Sequence, residues 1–284
     1  MIERIFHALA SASRELFRRW GALLILLVLY LGMLGAIYLF FVTREATVGQ
    51  LLLSLLLALA APVLFLVIQT MAARYTAGDG RTLPLLGGSL RDFWKLLVIS
   101  LPLILIAAVA IYLFGKFETT APAATVREAV RTLPSPPRAP VPKPQPVNWK
   151  SIAITTLQYL VFCLVLPLTA IHLWIVTARD GLKQAVKGSA RILGRAFAPQ
   201  AVITYAIGFV FFAVVPYFLI VTKTSAVSAW LDAALLGSRL VLAVVFSLVG
   251  WVVTVGALGR LSAEGGRENV AQTSESAGHV PAEA

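Results

Sequence analysis

Residues 22–42 read ALLILLVLYLGMLGAIYLFFV. Fourteen of these are Leu, Ile, Val or Phe, and none is Asp, Glu, Lys or Arg. At about 1.5 Å of rise per residue, a helix needs about 20 apolar residues to cross roughly 30 Å of hydrocarbon. Each large aliphatic or Phe side chain near the centre of such a helix favours insertion by about 0.3 to 0.6 kcal/mol, and no polar residue here offsets that sum. The run reads as a transmembrane helix. Five further runs, at 51–73, 96–114, 152–178, 202–221 and 240–258, are as apolar and equally free of Asp, Glu, Lys and Arg. With 59% hydrophobic residues in 284 and a mean hydropathy of +0.86, the chain belongs in a bilayer. The expected fold is all-α, a polytopic membrane protein with six transmembrane helices.

Six crossings put both termini on one side. Lys and Arg between the crossings decide which side that is, because short cytoplasmic loops carry the excess of cations. The side shared by the termini has Arg4, Arg14, Arg18 and Arg19, then Arg74, Arg81, Arg91 and Lys95, then Arg179, Lys183, Lys187, Arg191 and Arg195, and finally Arg260 and Arg267. The two short loops opposite hold only Arg44, Lys223 and Arg239. Cytoplasmic N- and C-termini are therefore expected. About 20 residues precede the first run and no small-residue cleavage site follows it, so the N-terminus is expected to remain as an anchor.

The stretch RDGLKQAVKGSARILGR, residues 179–195, spaces its cations four apart. At 100° per residue, Leu182, Ala185, Val186, Ile192, Leu193, Ala196 and Phe197 share one arc, and Lys183, Gln184, Lys187, Arg191 and Arg195 share the opposite one. An amphipathic helix over 181–197 is expected at the cytoplasmic interface, with cationic heads at phosphates and stems on acyl chains. Residues 1–20 repeat the pattern. Ile2, Ile5, Phe6, Leu9, Leu16, Phe17 and Trp20 lie on one face; Arg4, His7, Arg14, Glu15 and Arg18 lie on the other. The predicted membrane-surface residues are thus Lys183, Lys187, Arg191, Arg195, Arg4, Arg14 and Arg18. The net charge of +11 lies mainly between crossings, so anionic phospholipid headgroups are the expected partner and nucleic acid is not. The same helices also offer docking surfaces for soluble protein partners.

The chain divides into a helix at 1–20, transmembrane helices 1–3 at 21–114, a segment at 115–150, transmembrane helices 4–6 at 151–259 and a tail at 260–284. Within the 115–150 segment, PSPPRAPVPKPQP holds seven prolines in thirteen residues and should form an extended, extracytoplasmic polyproline tether. TVREAVRTL before it is expected to form a short helix. The small, polar tail is expected to be disordered in the cytoplasm. A parallel repeat of helices 2–3 and 4–5 is also expected. Pro62 and Pro167 precede Arg74 and Arg179 by twelve residues each, and both copies continue into Gly-Ser-x-Arg, at Gly88-Ser89-Leu90-Arg91 and Gly188-Ser189-Ala190-Arg191. Pro102, Pro167 and Pro216 fall inside crossings, where each is expected to kink its helix.

Little chemistry is written in the residues. Cys163 is alone, so no internal disulfide forms and no Cys/His metal cluster exists. No P-loop, HExxH or supported nucleophile motif occurs, GDG at 78–80 reads as a turn, and no catalytic residue, metal or cofactor is expected. Asp232 and Arg239 share a helical face at the outer start of the last crossing. His172, Gln69 and Gln158 are the candidate intramembrane polar site. A polar cavity lined by them, or by Thr155 and Thr156, would mark transport. A dry centre packed with Gly and Ala would mark scaffolding, and catalysis would need converging Ser, His and Asp.

The stretch DGLKQAVKGSARILGRAFAPQAVI resembles the recurring cytoplasmic segment of poorly characterised prokaryotic six-span membrane proteins of the glycerophosphodiester phosphodiesterase membrane-domain type. Gln184, Ala185, Ser189, Arg191, Leu193 and Gly194 carry the resemblance, GGSLRDFWKLL is its partner copy, and it covers about residues 54–221. It implies the cytoplasmic (inner) membrane of a prokaryote. The soluble phosphodiesterase domain of such proteins has no counterpart in these residues, so no catalytic residue carries over. The expected function is a non-enzymatic scaffold or lipid-organising component. The alternatives are a transporter or channel subunit of permease type, whose acidic-Ala-Ala before glycine is replaced here by LKQ, and then an intramembrane enzyme.

A peptide of residues 181–197 should bind anionic vesicles, and changing Lys183, Lys187, Arg191 and Arg195 to Gln should weaken that binding by about 1 kcal/mol per cation. Vesicle co-sedimentation measures it; equal binding of both peptides refutes the interfacial reading.

Overall fold

The computed structural model describes residues 1–43, 47–75, 82–119, 149–222 and 228–278, with side chains to 263. Among them no strand occurs. The elements are α1 (Ile2–Arg18), α2 (Trp20–Val42), α3 (Val48–Tyr75), α4 (Thr82–Thr119), α5 (Trp149–Leu160), a π segment (Val161–Val165), α6 (Leu166–Asp180), α7 (Leu182–Lys187), α8 (Ser189–Ala196), α9 (Pro199–Phe209), a second π segment (Val210–Val214), α10 (Val215–Val221) and α11 (Ala229–Gly278). Six helices are long and apolar enough to cross a membrane: Trp20–Val42, Val48–Tyr75, Leu83–Phe117, Trp149–Asp180, Pro199–Val221 and Ala229–Ala263. All six expected crossings are present. Their exposed surface is the kind that only lipid covers well. Leu51, Leu52, Leu55, Leu56 and Leu59 of α3 all stand open, as do Leu101, Ile104 and Leu105 of α4.

The chain forms two compact units, residues 100–167 in one and the remainder in the other. In the smaller unit, Phe114 and Phe162 meet edge to face at 6.2 Å. In the larger, the last crossing is the hub. α1 lays Ala8 and Ala12 on Ala257 of α11, with Leu9, Val253 and Leu261 closing the sides. The buried stripe of α1 is Ile5, Ala8, Ala12 and Leu16. It is turned from the expected apolar face, and Ile2, Phe6, Phe17 and Trp20 remain exposed. Small side chains let the two backbones approach, and the approach takes the place of the aromatic face.

The two π segments have one cause. Each ends two residues before a proline, Pro167 or Pro216, and each closes with an N–H bonding the carbonyl five residues back, Leu166 to Val161 and Val215 to Val210. A proline has no N–H for the carbonyl four residues before it and crowds that carbonyl, so the helix widens locally. For Pro216 that carbonyl belongs to Phe212, and Ser247 Oγ of α11 donates to it at 3.1 Å. Pro62 and Pro102 lie within continuous α-helix.

Below this contact α11 presses against the fifth crossing. A Cβ on Gly250 would come within 3.0 Å of Phe212 N. One on Gly208 would overlap the Thr254 hydroxyl and stand 2.8 Å from Thr254 Cβ. Phe212 meets Trp251 edge to face at 5.1 Å. At the far end, Arg239 of α11 donates through Nη1 to Thr222 O, the carbonyl beyond the last turn of α10. Its guanidinium thus caps a helix terminus.

Three element boundaries differ from those expected. The single amphipathic helix over 181–197 is two short ones, broken at Gly188, whose φ of −92° and ψ of 5° leave the helix. The last helix, α11, runs to Gly278, past the expected start of the tail at 260, and Arg260 is tied to Glu15. The third crossing and the Gly-Ser-Leu-Arg motif are one helix, α4, which continues to Thr119 past the expected limit at 114. The proline-rich stretch and TVREAVRTL fall in 120–148, outside the described residues, as does GDG at 78–80.

Gly208→Ala should lower the stability of the solubilised protein by about 1 to 3 kcal/mol through overpacking against Thr254. Adding Thr254→Ala should restore part of the loss in a thermal melt; no loss in the single variant refutes the close approach.

Candidate functional site

Several polar groups within the crossings are engaged by the protein itself, while among the described residues the buried hydroxyls of Ser54 and Thr177 have no hydrogen-bond partner. Gln69 of α3 accepts a 2.7 Å hydrogen bond through Oε1 from Trp251 Nε1 of α11. Thr70, Thr204 and Thr254 each turn their hydroxyl back to a carbonyl four residues earlier. Gln69 also borders a cavity of about 270 Å³ with Tyr30, Ser247 and Trp251. A larger, almost wholly apolar cavity of about 370 Å³ lies among α1, α9 and α11, against Phe6, Leu9, Phe211 and Phe246.

The ends of the crossings nearest α1 carry two ion-pair groups. Glu15 of α1 accepts from Arg19 at 2.9 Å and from Arg260 of α11, and its backbone carbonyl accepts from Tyr75 Oη at 2.5 Å. The Arg19 guanidinium lies 5.5 Å from the centre of the Tyr75 ring. One acidic residue so ties α1 to the ends of α3 and α11. In the second group Asp92 of α4 pairs with Arg74 of α3 and with Lys95 at 2.7 Å. Gly88 leaves room for the Arg74 guanidinium, which a Cβ there would meet. The position corresponding to Asp92 in the second Gly-Ser-x-Arg copy is Ile192, which is buried, so the copies differ in their ion pairing.

A third cavity, of about 310 Å³, is both polar and charged. His172, Ile175, Val176 and Arg179 of α6 line it. Their spacing of three, four and seven makes one stripe of that helix. Asp180 follows, Ile192 and Arg195 come from α8, and Ser262 and Ala263 from α11. Gly181 makes this closure feasible. Its φ of 84° and ψ of 165° reverse the chain directly after Asp180, in a region of backbone space that is almost exclusive to glycine. Pro199, at the first position of α9, then starts the fifth crossing without wasting an N–H.

His172 is 3% exposed, and its Nδ1 lies 2.9 Å from Leu168 O. A carbonyl can only accept, so Nδ1 carries the hydrogen and Nε2 is left as an acceptor. Ser262 donates to Leu258 O at 2.8 Å. Ser, His and Asp thus converge on one cavity, but the hydroxyl is bonded to its own helix and the imidazole to its own. No Ser-to-His bond is made, and the geometry is not that of an activated nucleophile. Among the described residues no group of His, Cys, Asp and Glu could hold a metal ion.

The predicted residues separate in space. Lys183, Lys187 and Arg191 are exposed along α7 and α8, while Ala185, Ile192 and Ala196 are buried beneath them. Arg195 is half-buried in the charged cavity. Arg4, Arg14 and Arg18 are exposed on α1. His172 and Gln69 border different cavities, and half-buried Gln158 lies in the smaller unit. Sequence reasoning passed over the Arg179, Asp180 and Ser262 lining, the Glu15 ties and the Asp92 pair. The i, i+7 spacing of His172 and Arg179 was the one signal that pointed to the cavity. No family model, no curated protein and no solved structure matches the chain.

Gly181→Ala should cost about 1 to 3 kcal/mol of stability through backbone strain. Gly194→Ala, with open space around its new methyl, should cost nothing. Chemical unfolding of the two solubilised variants measures the difference, and equal stability refutes the strained turn.

Proposed function

We propose that this six-helix membrane protein is a non-enzymatic component of the cytoplasmic membrane of a prokaryote, with both termini in the cytoplasm, that organises anionic phospholipid on that face. The observation that carries the reading is the α7–α8 connection, where Lys183, Lys187 and Arg191 stand exposed over a buried floor of Ala185, Ile192 and Ala196. Such a layer presents fixed cations at headgroup depth, each worth about 1 kcal/mol toward an anionic surface. The exposed Arg4, Arg14 and Arg18 of α1 add to the same face. A scaffold role fits the close packing of Ala8, Ala12 and Ala257 and of Gly208 on Thr254. The parallel repeat of helices 2–3 and 4–5 belongs to this reading as its source of two similar cytoplasmic segments. A transporter is the second reading, favoured by the cavity at Gln69, Ser247 and Trp251.

In vesicles with mixed lipid, the full-length protein should enrich spin-labelled phosphatidylglycerol over phosphatidylcholine at its surface. The triple variant Lys183→Gln, Lys187→Gln, Arg191→Gln should reduce the enrichment by several-fold, and raised salt should do the same to the native chain. Equal restriction of both lipids by the native protein refutes the proposal.

A further inference from the structure

The charged cavity at the ends of α6, α8 and α11 is distinct from the open cationic row. We infer that it is a binding site for one phospholipid headgroup, specifically a monoanionic phosphodiester, held between Arg179 and Arg195. The inference rests on the lipid-organising reading and deepens it.

The first argument is charge. Among the described residues, Arg179 and Arg195 have no ion-pair partner, yet both border the same partly open cavity as Asp180, with Arg179 and Asp180 exposed at its mouth and Arg195 half-buried. Two guanidiniums and one carboxylate leave a net charge of one positive. A phosphodiester carries a single negative charge and neutralises it; a phosphomonoester carries more. Arginine suits the task because its planar fork bonds two oxygens of one phosphate.

The second argument is the wall chemistry. Ile175, Val176 and Ile192 face the cavity beside the charges, so it offers an apolar side and a polar side. A phospholipid has that division at its glycerol, whereas free phosphate has only the polar half. The third is the acceptor set. His172 keeps Nε2 as an acceptor because Nδ1 is bonded to Leu168 O, and Asp180 supplies carboxylate oxygens. Hydroxyls on the headgroup have groups to donate to, and a headgroup such as that of phosphatidylglycerol provides them. The volume of about 310 Å³ accommodates a headgroup and not a whole lipid, whose chains would lie along the exposed apolar crossings.

The test uses the full-length protein in detergent with native mass spectrometry, which counts lipids retained after delipidation. Phosphatidylglycerol, phosphatidylethanolamine and inorganic phosphate are titrated separately. One phosphatidylglycerol should be retained in preference to phosphatidylethanolamine, and inorganic phosphate should not displace it. Arg179→Gln with Arg195→Gln should weaken retention by about tenfold or more, the loss expected for two charge-assisted contacts. Arg91→Gln with Lys150→Gln removes the same charge from two exposed positions outside the cavity and outside the cationic row, and should leave retention unchanged. Asp180→Asn, a milder change at an exposed position, should move the preference toward phosphatidic acid. Equal losses from both double variants, or displacement by inorganic phosphate, overturn the site. If the native chain enriches anionic lipid in vesicles but retains none here, the cavity assignment alone fails. If it does neither, the lipid-organising reading fails as well.

Discussion

Hydrocarbon offers no hydrogen bonds, so a polar atom carried into it is stabilised by a partner in the protein. The arrangement of the larger unit follows from that rule. Pro216 withdraws the donor that Phe212 O would have had, and Ser247 of the neighbouring helix supplies one. Gln69 takes the indole N–H of Trp251. His172 bonds the carbonyl one turn back. None of these bonds is worth much alone, since partners in a membrane contribute on average less than 1 kcal/mol each. Leaving the groups unpaired would cost more, and so the bonds fix which helices are neighbours.

Close approach does the remaining work. Gly208, Gly250 and Ala257 are small where α11 meets the fifth crossing and α1, and the resulting contacts are of backbone against side chain. Apolar side chains gain nothing by leaving lipid for protein, so dense packing has to hold such helices together. The same reasoning explains why the aromatic residues of α1 stay outside. Phe6, Phe17 and Trp20 find an equally apolar neighbour in acyl chains, whereas alanines alone permit the contact with α11.

The six crossings were legible because composition over 20 residues is a strong signal that few local details disturb. Along α7 and α8, Lys183, Lys187 and Arg191 stand exposed and Ala185, Ile192 and Ala196 are buried, while Val186, Leu193 and Phe197 of the expected apolar arc are exposed. The break at Gly188 was not legible, because a glycine inside an amphipathic pattern is compatible with either a helix or a turn. The choice of Glu15 as the tie between α1, α3 and α11 was hidden for another reason. Its partners Tyr75 and Arg260 are 60 and 245 residues away, and pairing over such distances leaves no periodic trace in one sequence. The candidate site was half visible: His172 and Arg195 had been singled out, but for separate roles, and Arg179 had been counted only among the cations between crossings. The widened turns precede Pro167 and Pro216, two of the three prolines at which a kink was expected, whereas the third, Pro102, lies within continuous α-helix, as does Pro62.

The last helix has one further property. It runs without proline from Arg239, which holds the end of α10, to Arg260, which holds Glu15 of α1, a span of about 31 Å. A continuous hydrogen-bonded rod of that length transmits rotation and axial displacement with little loss. Whatever grips the chain at Thr222 is therefore mechanically linked to the amino-terminal helix at the other end of this rod, and a pull on one should register as a shift of the other.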